Sequence, residues 1–203
     1  MKTSFLQIDP FAPDDRLIGY VARMIRAGKV VIFPTETVYG LGGDGGNPEV
    51  VKRIYRIKGR GGDKPLARLV GGWEELKGIE WGRGHRKLAE LFWPGPLTLI
   101  LRLADGSRQG IRFPDQPFLQ EVIRRSGVLF VATSANLSGK PEAASGEEAR
   151  RLFSGKVDLI LDGGEVSGRP STVCDLTVSP EKILREGPIP RAEIEKVLRH
   201  EKG

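Results

Sequence analysis

Short apolar runs rich in branched side chains recur along this 203-residue sequence, and segments with helical periodicity separate most of them. Strands and helices that interleave in this way pack as a sheet with helices against its faces. Several runs are joined by loops too short for the crossover that parallel neighbours need, so we expect a mixed sheet. The predicted strands are VVIF (30–33), PLARLV (65–70), PLTLILRL (96–103), GIRF (110–113), VLFVAT (128–133), VDLILD (157–162), STVCDL (171–176) and KILR (182–185).

Helices are predicted between these strands, and two of them carry clear end signals. Residues 14–28 place apolar side chains at helical spacing between Asp14 as N-cap and Gly28 as a stop. Residues 47–59 begin with Asn47 as N-cap and Pro48 at the first helical position. The hydrophobic content of 39% suits one sizeable core, so a single domain over residues 1–203 is expected. The further predicted helices are WEELKG (73–78), HRKLAELF (85–92), QPFLQEVIRR (116–125), GEEARRLF (146–153) and PRAEIEKVLRH (190–200).

The charge of the chain favours an anionic partner such as a nucleotide or RNA. The net charge is +6 and the isoelectric point is near 9.6. Residues 52–64, KRIYRIKGRGGDK, concentrate basic side chains, whereas a solvated helix face usually mixes both signs. Clustered positive charge of this kind indicates a phosphate-binding segment.

Composition also limits which chemistries the chain supports. One cysteine, Cys174, excludes an internal disulfide, and two histidines provide no metal-ligand spacing, so a metal ion should arrive with a substrate. The N-terminus has no continuous apolar segment of the signal-peptide kind, and no window approaches the roughly 18 apolar residues of a membrane span. We therefore expect a soluble, cytoplasmic protein without membrane contact.

Polar side chains gather where the predicted strands end. PTETVYGLGG (34–43) follows one apolar strand, TSANLSG (133–139) follows another, and STVCDL (171–176) starts a third. Ligands bind where several strand ends come together, because backbone and short polar side chains are free there. Lys58 and Arg60, with Arg112 and Arg185, would add positive charge for phosphates. The predicted polar rim consists of Thr35, Thr37, Thr133, Ser134, Asn136 and Ser171.

Common catalytic and phosphate-binding motifs do not account for these residues. No G-x-x-x-x-G-K-[ST] loop and no G-x-S-x-G elbow occurs. Residues 40–45 satisfy G-x-G-x-x-G, but six residues separate them from the preceding strand, whereas the dinucleotide fingerprint follows its strand directly. A nicotinamide-dependent oxidoreductase is thus a lower-ranked alternative. Glu36 is expected to accept backbone N–H hydrogen bonds in a polar turn.

The ordered set of motifs resembles the YrdC/TsaC-type L-threonylcarbamoyladenylate synthases. The matching elements run from residue 34 to residue 187 and are PTETVYGLGG, the Lys58-x-Arg60 pair, KPL, FWPGPLTLIL, TSANLSG, STVCDL and LREG. The resemblance implies an α/β fold, a twisted open mixed sheet with flanking helices and a large basic concavity. It also implies that the chain lacks the additional C-terminal domain of longer members.

The resemblance implies an enzyme that makes threonylcarbamoyl-AMP and pyrophosphate from L-threonine, bicarbonate and ATP, for threonylcarbamoyladenosine modification of tRNA. Mg²⁺ would enter with ATP, and no protein-bound metal is expected. Gly40, Gly42 and Gly43 would let the backbone approach the ligand. By the family pattern the ATP-binding residues would be Lys58, Arg60, Thr98, Ser134, Asn136, Ser145 and Arg185. The threonine-binding residues would be Thr35, Arg112, Thr133 and Ser171, with Arg112 facing the amino-acid carboxylate.

The sequence departs from the family pattern at two positions, and two functions other than the synthase are considered. Gly61 replaces the proline that many members have after the arginine of the K-x-R pair, and Leu69 lies near the position where some members have a histidine. YciO-type relatives, whose role is less certain, share the fold and many motifs. A double-stranded RNA-binding module is the other alternative, and contact with tRNA or with the downstream threonylcarbamoyl transferase complex is left open.

Overall fold

The computed structural model describes residues 2–12, 14–59 and 65–200. Its strands are β1 (Ser4–Gln7), β2 (Val31–Phe33), β3 (Gly40–Asp44), β4 (Ala67–Leu69), β5 (Leu97–Arg102), β6 (Arg108–Arg112), β7 (Phe130–Ser134), β8 (Leu159–Asp162), β9 (Thr172–Asp175) and β10 (Lys182–Arg185). Its helices are α1 (Asp15–Arg26), α2 (Pro48–Lys58), α3 (Arg83–Phe92), α4 (Pro117–Ser126), α5 (Gly146–Phe153) and α6 (Arg191–His200), with a 3₁₀ helix at Trp73–Leu76.

The strands form a mixed sheet, as predicted. In the described part of the chain its order is β1-β8-β2-β3-β7-β4-β6-β5-β9-β10. Neighbours pair in parallel at β1/β8, β2/β8, β4/β6 and β5/β9, and the remaining neighbours are antiparallel. The expectation of an α/β fold with an open mixed sheet and flanking helices is confirmed.

The first two helices form where their end signals lie. Asp14 caps α1 by accepting from the backbone N–H groups of Arg16 and Leu17 at 2.8 and 3.0 Å. Asn47 caps α2 by accepting from Glu49 N at 3.0 Å, with Pro48 in the first turn. Gly59 ends α2 in the left-handed region, at φ +63°, where glycine carries no Cβ penalty. This cap places Lys58 at the last helical position, where its ammonium reaches the carbonyl of Ser134 at the end of β7.

Two strands were not predicted from the sequence. The N-terminal segment SFLQ forms the edge strand β1, which pairs in parallel with β8. The glycine-rich segment at residues 40–44 forms β3, which lies between β2 and β7. Glycine is normally unfavourable inside strands because it has no side chain to pack, so this run gave no strand signal.

Close packing explains the glycines of β3. A Cβ at Gly40 would overlap the ring of Phe33, and one at Gly42 would lie 2.5 Å from the carbonyl oxygen of Val131. A Cβ at Gly43 would lie 2.8 Å from Val50. The expectation that these glycines serve an open, ligand-facing backbone is therefore wrong for Gly42 and Gly43, which face protein atoms. Gly40 also lines the cavity described below.

Helix coverage differs between the two halves of the sheet. Around β2 and β8, one face packs on α1 and α4 and the other on α2 and α5, because strand residues alternate between two apolar clusters. In β5, Leu97, Leu99 and Leu101 join an apolar cluster with residues of α3 and α6. Thr98 and Ile100 point the opposite way and line a cavity. This cavity therefore lies on the face of the β6–β5–β9 region that α3 and α6 do not cover.

We expect Gly42→Ala to lower the free energy of unfolding by about 1–3 kcal/mol, because a buried backbone carbonyl and the neighbouring strand must move to admit one methyl group. The matched control is Gly19→Ala in α1, whose Cβ would meet only the flexible end of Arg23 at 3.5 Å. Alanine in a helix interior should raise stability by about 0.5–1 kcal/mol. Urea unfolding of both variants measures the difference, and equal stabilities would contradict the close approach of β3 and β7.

Candidate functional site

A cavity of about 750 Å³ lies on this exposed face of the sheet. Such a volume is within the range of small-molecule and cofactor sites. Nine of the eleven residues predicted to bind ATP or threonine line it, although they are spread over 151 positions of the chain. They are Thr35, Lys58, Thr98, Arg112, Thr133, Ser134, Asn136, Ser171 and Arg185.

Of the other two predicted residues, Ser145 does not line the cavity and Arg60 is not described. Ser145 is the N-cap of α5, where its Oγ accepts from the backbone N–H of Glu148 at 3.2 Å. Arg60 lies outside the described residues, as does the Gly61 departure from the family pattern. The ATP-binding roles of Ser145 and Arg60 stay predictions.

Lys58 anchors one end of the cavity. Its side chain is buried, and Nζ donates to the carbonyl oxygen of Ser134 at 2.6 Å and to Oδ1 of Asn136. Ser134 Oγ donates to the same Asn136 oxygen at 2.8 Å, and Asn136 Nδ2 donates to the carbonyl of Lys140 at 2.6 Å. A buried ammonium is tolerated because such hydrogen bonds replace its hydration. The network fixes a cation beside two short polar side chains.

Arg185 and Ser171 are joined at another part of the cavity wall. Arg185 donates from Nε to the carbonyl oxygen of Ser171 at 2.9 Å and from Nη2 to its Oγ at 3.2 Å. Thr98 Oγ1 lies 2.9 Å from Ser171 Oγ. Burial lowers the pKa of Arg185, the negative charge of Glu142 opposes that shift, and the positive charge of Arg112 adds to it. The guanidinium is thus a fixed cation next to two hydroxyl groups.

Arg112 is held by the loop between β2 and β3. It is 7% exposed, and its Nη2 donates to Thr37 Oγ1 at 2.8 Å and lies 2.9 Å from Glu36 Oε1. Thr35 Oγ1 donates to the carbonyl of Val38 at 2.7 Å. Glu36 therefore pairs with a guanidinium, and the expectation that it accepts backbone N–H groups is wrong. The turn chemistry of this loop is supplied by threonine hydroxyls instead.

Two charged lining residues were missed by the sequence analysis. Arg108 lies on β6 with Gly110 and Arg112, and these alternate residues all face the cavity. Arg108 forms an ion pair with the buried Asp175 of β9. The period of two in RQGIR could have revealed Arg108, whereas Glu142, in the loop after TSANLSG, gave no comparable signal.

Tyr39 joins the loop between β2 and β3 to the segment that follows β8. Its side chain is fully buried, as expected of a core residue. Its hydroxyl donates to the carbonyl of Gly164 at 2.7 Å and accepts from Gly163 N at 3.1 Å. Burial raises the pKa of the Tyr39 phenol far above its ordinary value, and Asp162 adds to that rise although the Gly163 hydrogen bond opposes it. Tyr39 is therefore a neutral structural group at physiological pH.

A second, smaller depression of about 360 Å³ lies elsewhere and contains none of the predicted residues. It is lined by Trp73, Leu76, Lys77, Trp81, Arg86 and Glu90. Leu76 belongs to the apolar cluster that packs on Leu97 and Leu99. Since β-strand residues alternate between faces, this depression lies across the sheet from Thr98 and Ile100.

The described residues limit several other chemistries. Within them no group of three or more His, Cys, Asp or Glu side chains could hold a metal ion, and none of the described helices is long and apolar enough to cross a bilayer. Burial, aided by the charges of Glu181 and Asp175, raises the pKa of the Cys174 thiol to about 12. Since the thiolate is the nucleophile, Cys174 is unreactive at neutral pH.

The G-x-G-x-x-G match does not form a dinucleotide-binding turn. Gly40 and Gly42 lie inside β3, which pairs antiparallel with β2. The dinucleotide fingerprint requires a glycine turn between a strand and a helix in a parallel β-α-β unit. The oxidoreductase alternative is therefore wrong on geometric grounds.

Comparison with known proteins agrees with the motif pattern. The Sua5_yciO_yrdC family model, described as "Telomere recombination", matches residues 23–187. The chain belongs to the Sua5/YciO/YrdC family. The described strands and the cavity residues from Thr35 to Arg185 fall almost entirely within the matched range.

Two relatives from this family illustrate the similarity. The threonylcarbamoyl-AMP synthase of Pyrococcus abyssi is 42% identical over 193 residues, covering 89% of this chain and 57% of the relative. That of Bacillus subtilis is 37% identical over 214 residues, covering 98% and 62%. The chain thus spans about three fifths of the length of these two relatives.

Solved structures match over the same region. The crystal structure of P. abyssi Sua5 complexed with L-threonine superposes with a TM-score of 0.88 at 38% identity, covering 98% of this chain and 61% of that chain. The structure of Escherichia coli YciO matches with a TM-score of 0.84 at 28% identity, covering 93% and 97%. The fold described above is therefore the fold of this family.

Cys174 offers a direct check on the described core. A thiol-specific disulfide reagent at pH 8 should react with the folded chain roughly a thousandfold more slowly than with the unfolded chain, because a pKa of about 12 leaves little thiolate and burial blocks access. The rate in the folded state should still be rising above pH 9. Since the chain has one cysteine, the unfolded protein should react with one equivalent of the reagent per chain. Rapid labelling of the folded protein would contradict this placement.

Proposed function

We propose that the chain is a threonylcarbamoyl-AMP synthase, a nucleotidyltransferase that converts L-threonine, bicarbonate and ATP into threonylcarbamoyl-AMP and pyrophosphate. The observation that carries the proposal is that one cavity brings together residues from both predicted sets, Lys58 with Ser134 and Asn136, and Arg112 with Thr35 and Ser171. The names of the two synthase relatives and the L-threonine complex of P. abyssi Sua5 support it.

The lining side chains suit ATP chemistry without a protein nucleophile. The threonine amine forms a bond to the carbon of bicarbonate with loss of water, and an oxygen of the resulting carbamate attacks the α-phosphorus while pyrophosphate leaves. Such a reaction needs reactants held in position and cations near the leaving group. Lys58, Arg185 and Arg108 provide three cations along the cavity wall. Mg²⁺ bound to the ATP phosphates would supply further charge neutralisation.

The amino-acid end of the cavity has an anion partner and several hydroxyl groups. Arg112 presents a planar guanidinium suited to a carboxylate, although Glu36 and Thr37 occupy part of its donor set in this structure. A substrate carboxylate would therefore compete with Glu36. Thr35, Thr133 and Ser171 offer hydroxyl groups for the side-chain hydroxyl of threonine.

The wider setting of the activity follows from its product. Threonylcarbamoyl-AMP is an activated acyl adenylate, so a transferase that acts on tRNA adenosine would consume it, in the cytoplasm. Contact of this chain with that transferase complex or with tRNA belongs to the same proposal. A YciO-type role is the second candidate, because the E. coli YciO structure is covered over 97% of its length. Lack of threonine-dependent turnover would favour that candidate or an RNA-binding module.

The first test is pyrophosphate release from ATP, bicarbonate and Mg²⁺ with L-threonine. Lys58→Ala should lower kcat by about 10²- to 10³-fold, because it removes a fixed cation from the site of developing negative charge. Lys77→Ala is the matched control, since Lys77 lies on the depression across the sheet, and it should leave the rate unchanged. Circular dichroism checks folding of both variants. Threonine-independent release, or equal effects of the two variants, would reject the proposed site.

Substrate discrimination tests the polar rim separately. L-Valine has nearly the shape of threonine but lacks the hydroxyl, so unpaired cavity hydroxyls should reduce its kcat/KM by about 10⁴-fold. L-Serine keeps the hydroxyl and lacks one methyl group, which should cost only about 10- to 200-fold. The ratio of kcat/KM values with the three amino acids measures both effects. Valine turnover comparable to that of serine would show that the rim does not read a hydroxyl.

A further inference from the structure

Glu142 differs in charge from every other ionisable residue on the cavity wall. Among the described lining residues the cations are Lys58, Arg108, Arg112 and Arg185, and Glu142 is the one carboxylate. Each of the four cations has a hydrogen-bond or ion-pair partner in the protein. Glu142 has no hydrogen bond or ion pair with the described residues, and its negative charge acts on the Arg185 guanidinium.

The loop that carries Glu142 is held on both sides of this residue. Ala143 N donates to the carbonyl of Ala135 at 2.9 Å, and Tyr39 N donates to the carbonyl of Ala143 at 3.0 Å. Before Glu142, the carbonyl of Lys140 accepts from the Asn136 side chain. The same loop therefore fixes Glu142 and the Ser134–Asn136 pair that contacts Lys58. A carboxylate in this place is positioned by the fold and is not the tip of a free loop.

Electrostatics make this position unusual for a nucleotide site. A carboxylate facing a triphosphate repels it at short range, so the charge would weaken ATP binding if nothing lay between them. Glu142 is near enough to Arg185 to affect the titration of that guanidinium, and so it lies near a residue predicted to bind ATP. A divalent cation between the carboxylate and the phosphates would convert the repulsion into attraction.

We propose that Glu142 is the protein ligand of the divalent cation that enters with ATP, an inference that rests on the proposed function of the same cavity. Carboxylate oxygen is the donor type that Mg²⁺ prefers, and sites for Mg²⁺ with nucleotides commonly use one or two carboxylates with phosphate oxygens and water. One carboxylate without partners fits that pattern. It also agrees with the lack, among the described residues, of a group of three or more acidic or histidine side chains for a permanent metal.

The test compares ATP binding by calorimetry with Mg²⁺ and with a chelator, for the wild type and for Glu142→Gln. In the wild type, Mg²⁺ should tighten binding. In Glu142→Gln, ATP binding with Mg²⁺ should weaken about tenfold, whereas binding without metal should be equal or a few-fold tighter because the repulsive charge is gone. Glu147→Gln, an exposed position on α5 outside the cavity, is the matched control and should match the wild type.

A second readout follows the metal itself. Mn²⁺ with ATP should give an electron paramagnetic resonance spectrum that changes on binding to the wild type, and Glu142→Gln should alter that bound spectrum. Equal loss of ATP affinity with and without metal would overturn the proposal, because Glu142 would then act by positioning Arg185. Unchanged affinities and an unchanged Mn²⁺ spectrum would also overturn it. A wild type that does not bind ATP in either buffer would reject the proposed function as well.

Discussion

The register of β2, β3 and β7 is the constraint on which the site depends. Phe33 lies opposite Gly40, and Gly40 lies opposite Ser134, so three strand ends are aligned. The loop that begins at Pro34 and the loop that follows Ser134 consequently meet at one edge, where Ala135 N donates to the carbonyl of Tyr39 at 2.7 Å. A shift of one residue would turn every side chain of a strand to the opposite face. Glycine at positions 40 and 42 permits this alignment because larger residues would collide with Phe33 and with the Val131 carbonyl.

The exposed face of the β6–β5–β9 region then determines what kind of site forms. Leu97, Leu99 and Leu101 bury their side chains under α3 and α6, which supplies the hydrophobic stabilisation of this region. The opposite face carries Thr98, Arg112 and Ser171, which are all less than 10% exposed. Buried polar groups cost free energy unless they are hydrogen-bonded. Thr98 and Ser171 are joined by their hydroxyl groups, and Arg112 donates to Thr37 in the loop before β3. The arrangement gives a preorganised polar wall at the expense of further apolar packing.

Two of the cations on that wall form ion pairs. Arg112 lies against Glu36, and Arg108 lies against Asp175, so each guanidinium is oriented before a ligand enters. Two neutral oxygen atoms, the Ser134 carbonyl and Asn136 Oδ1, accept from the Lys58 ammonium and orient it. Preorganised cations of this kind are worth more in a cavity than in water, because the local dielectric constant is lower. Glu142 is the one carboxylate among the described lining residues. Its negative charge in a lining of cations is the reason for the proposed contact with a divalent cation.

The sequence by itself determined the mixed α/β architecture, the caps of α1 and α2, and eight of the residues that meet in the cavity, to which the family resemblance added Thr98. These features are local, since a cap is set by adjacent residues and a polar strand end by its own segment. Only the tertiary structure decided that the glycines of residues 40–44 form a central strand, that SFLQ pairs with β8, and that Glu36 contacts Arg112. The fit of Gly42 against Val131 and the pairing of Arg108 with Asp175 join residues 67–89 positions apart. Such contacts depend on strand order and register, which local propensity does not encode.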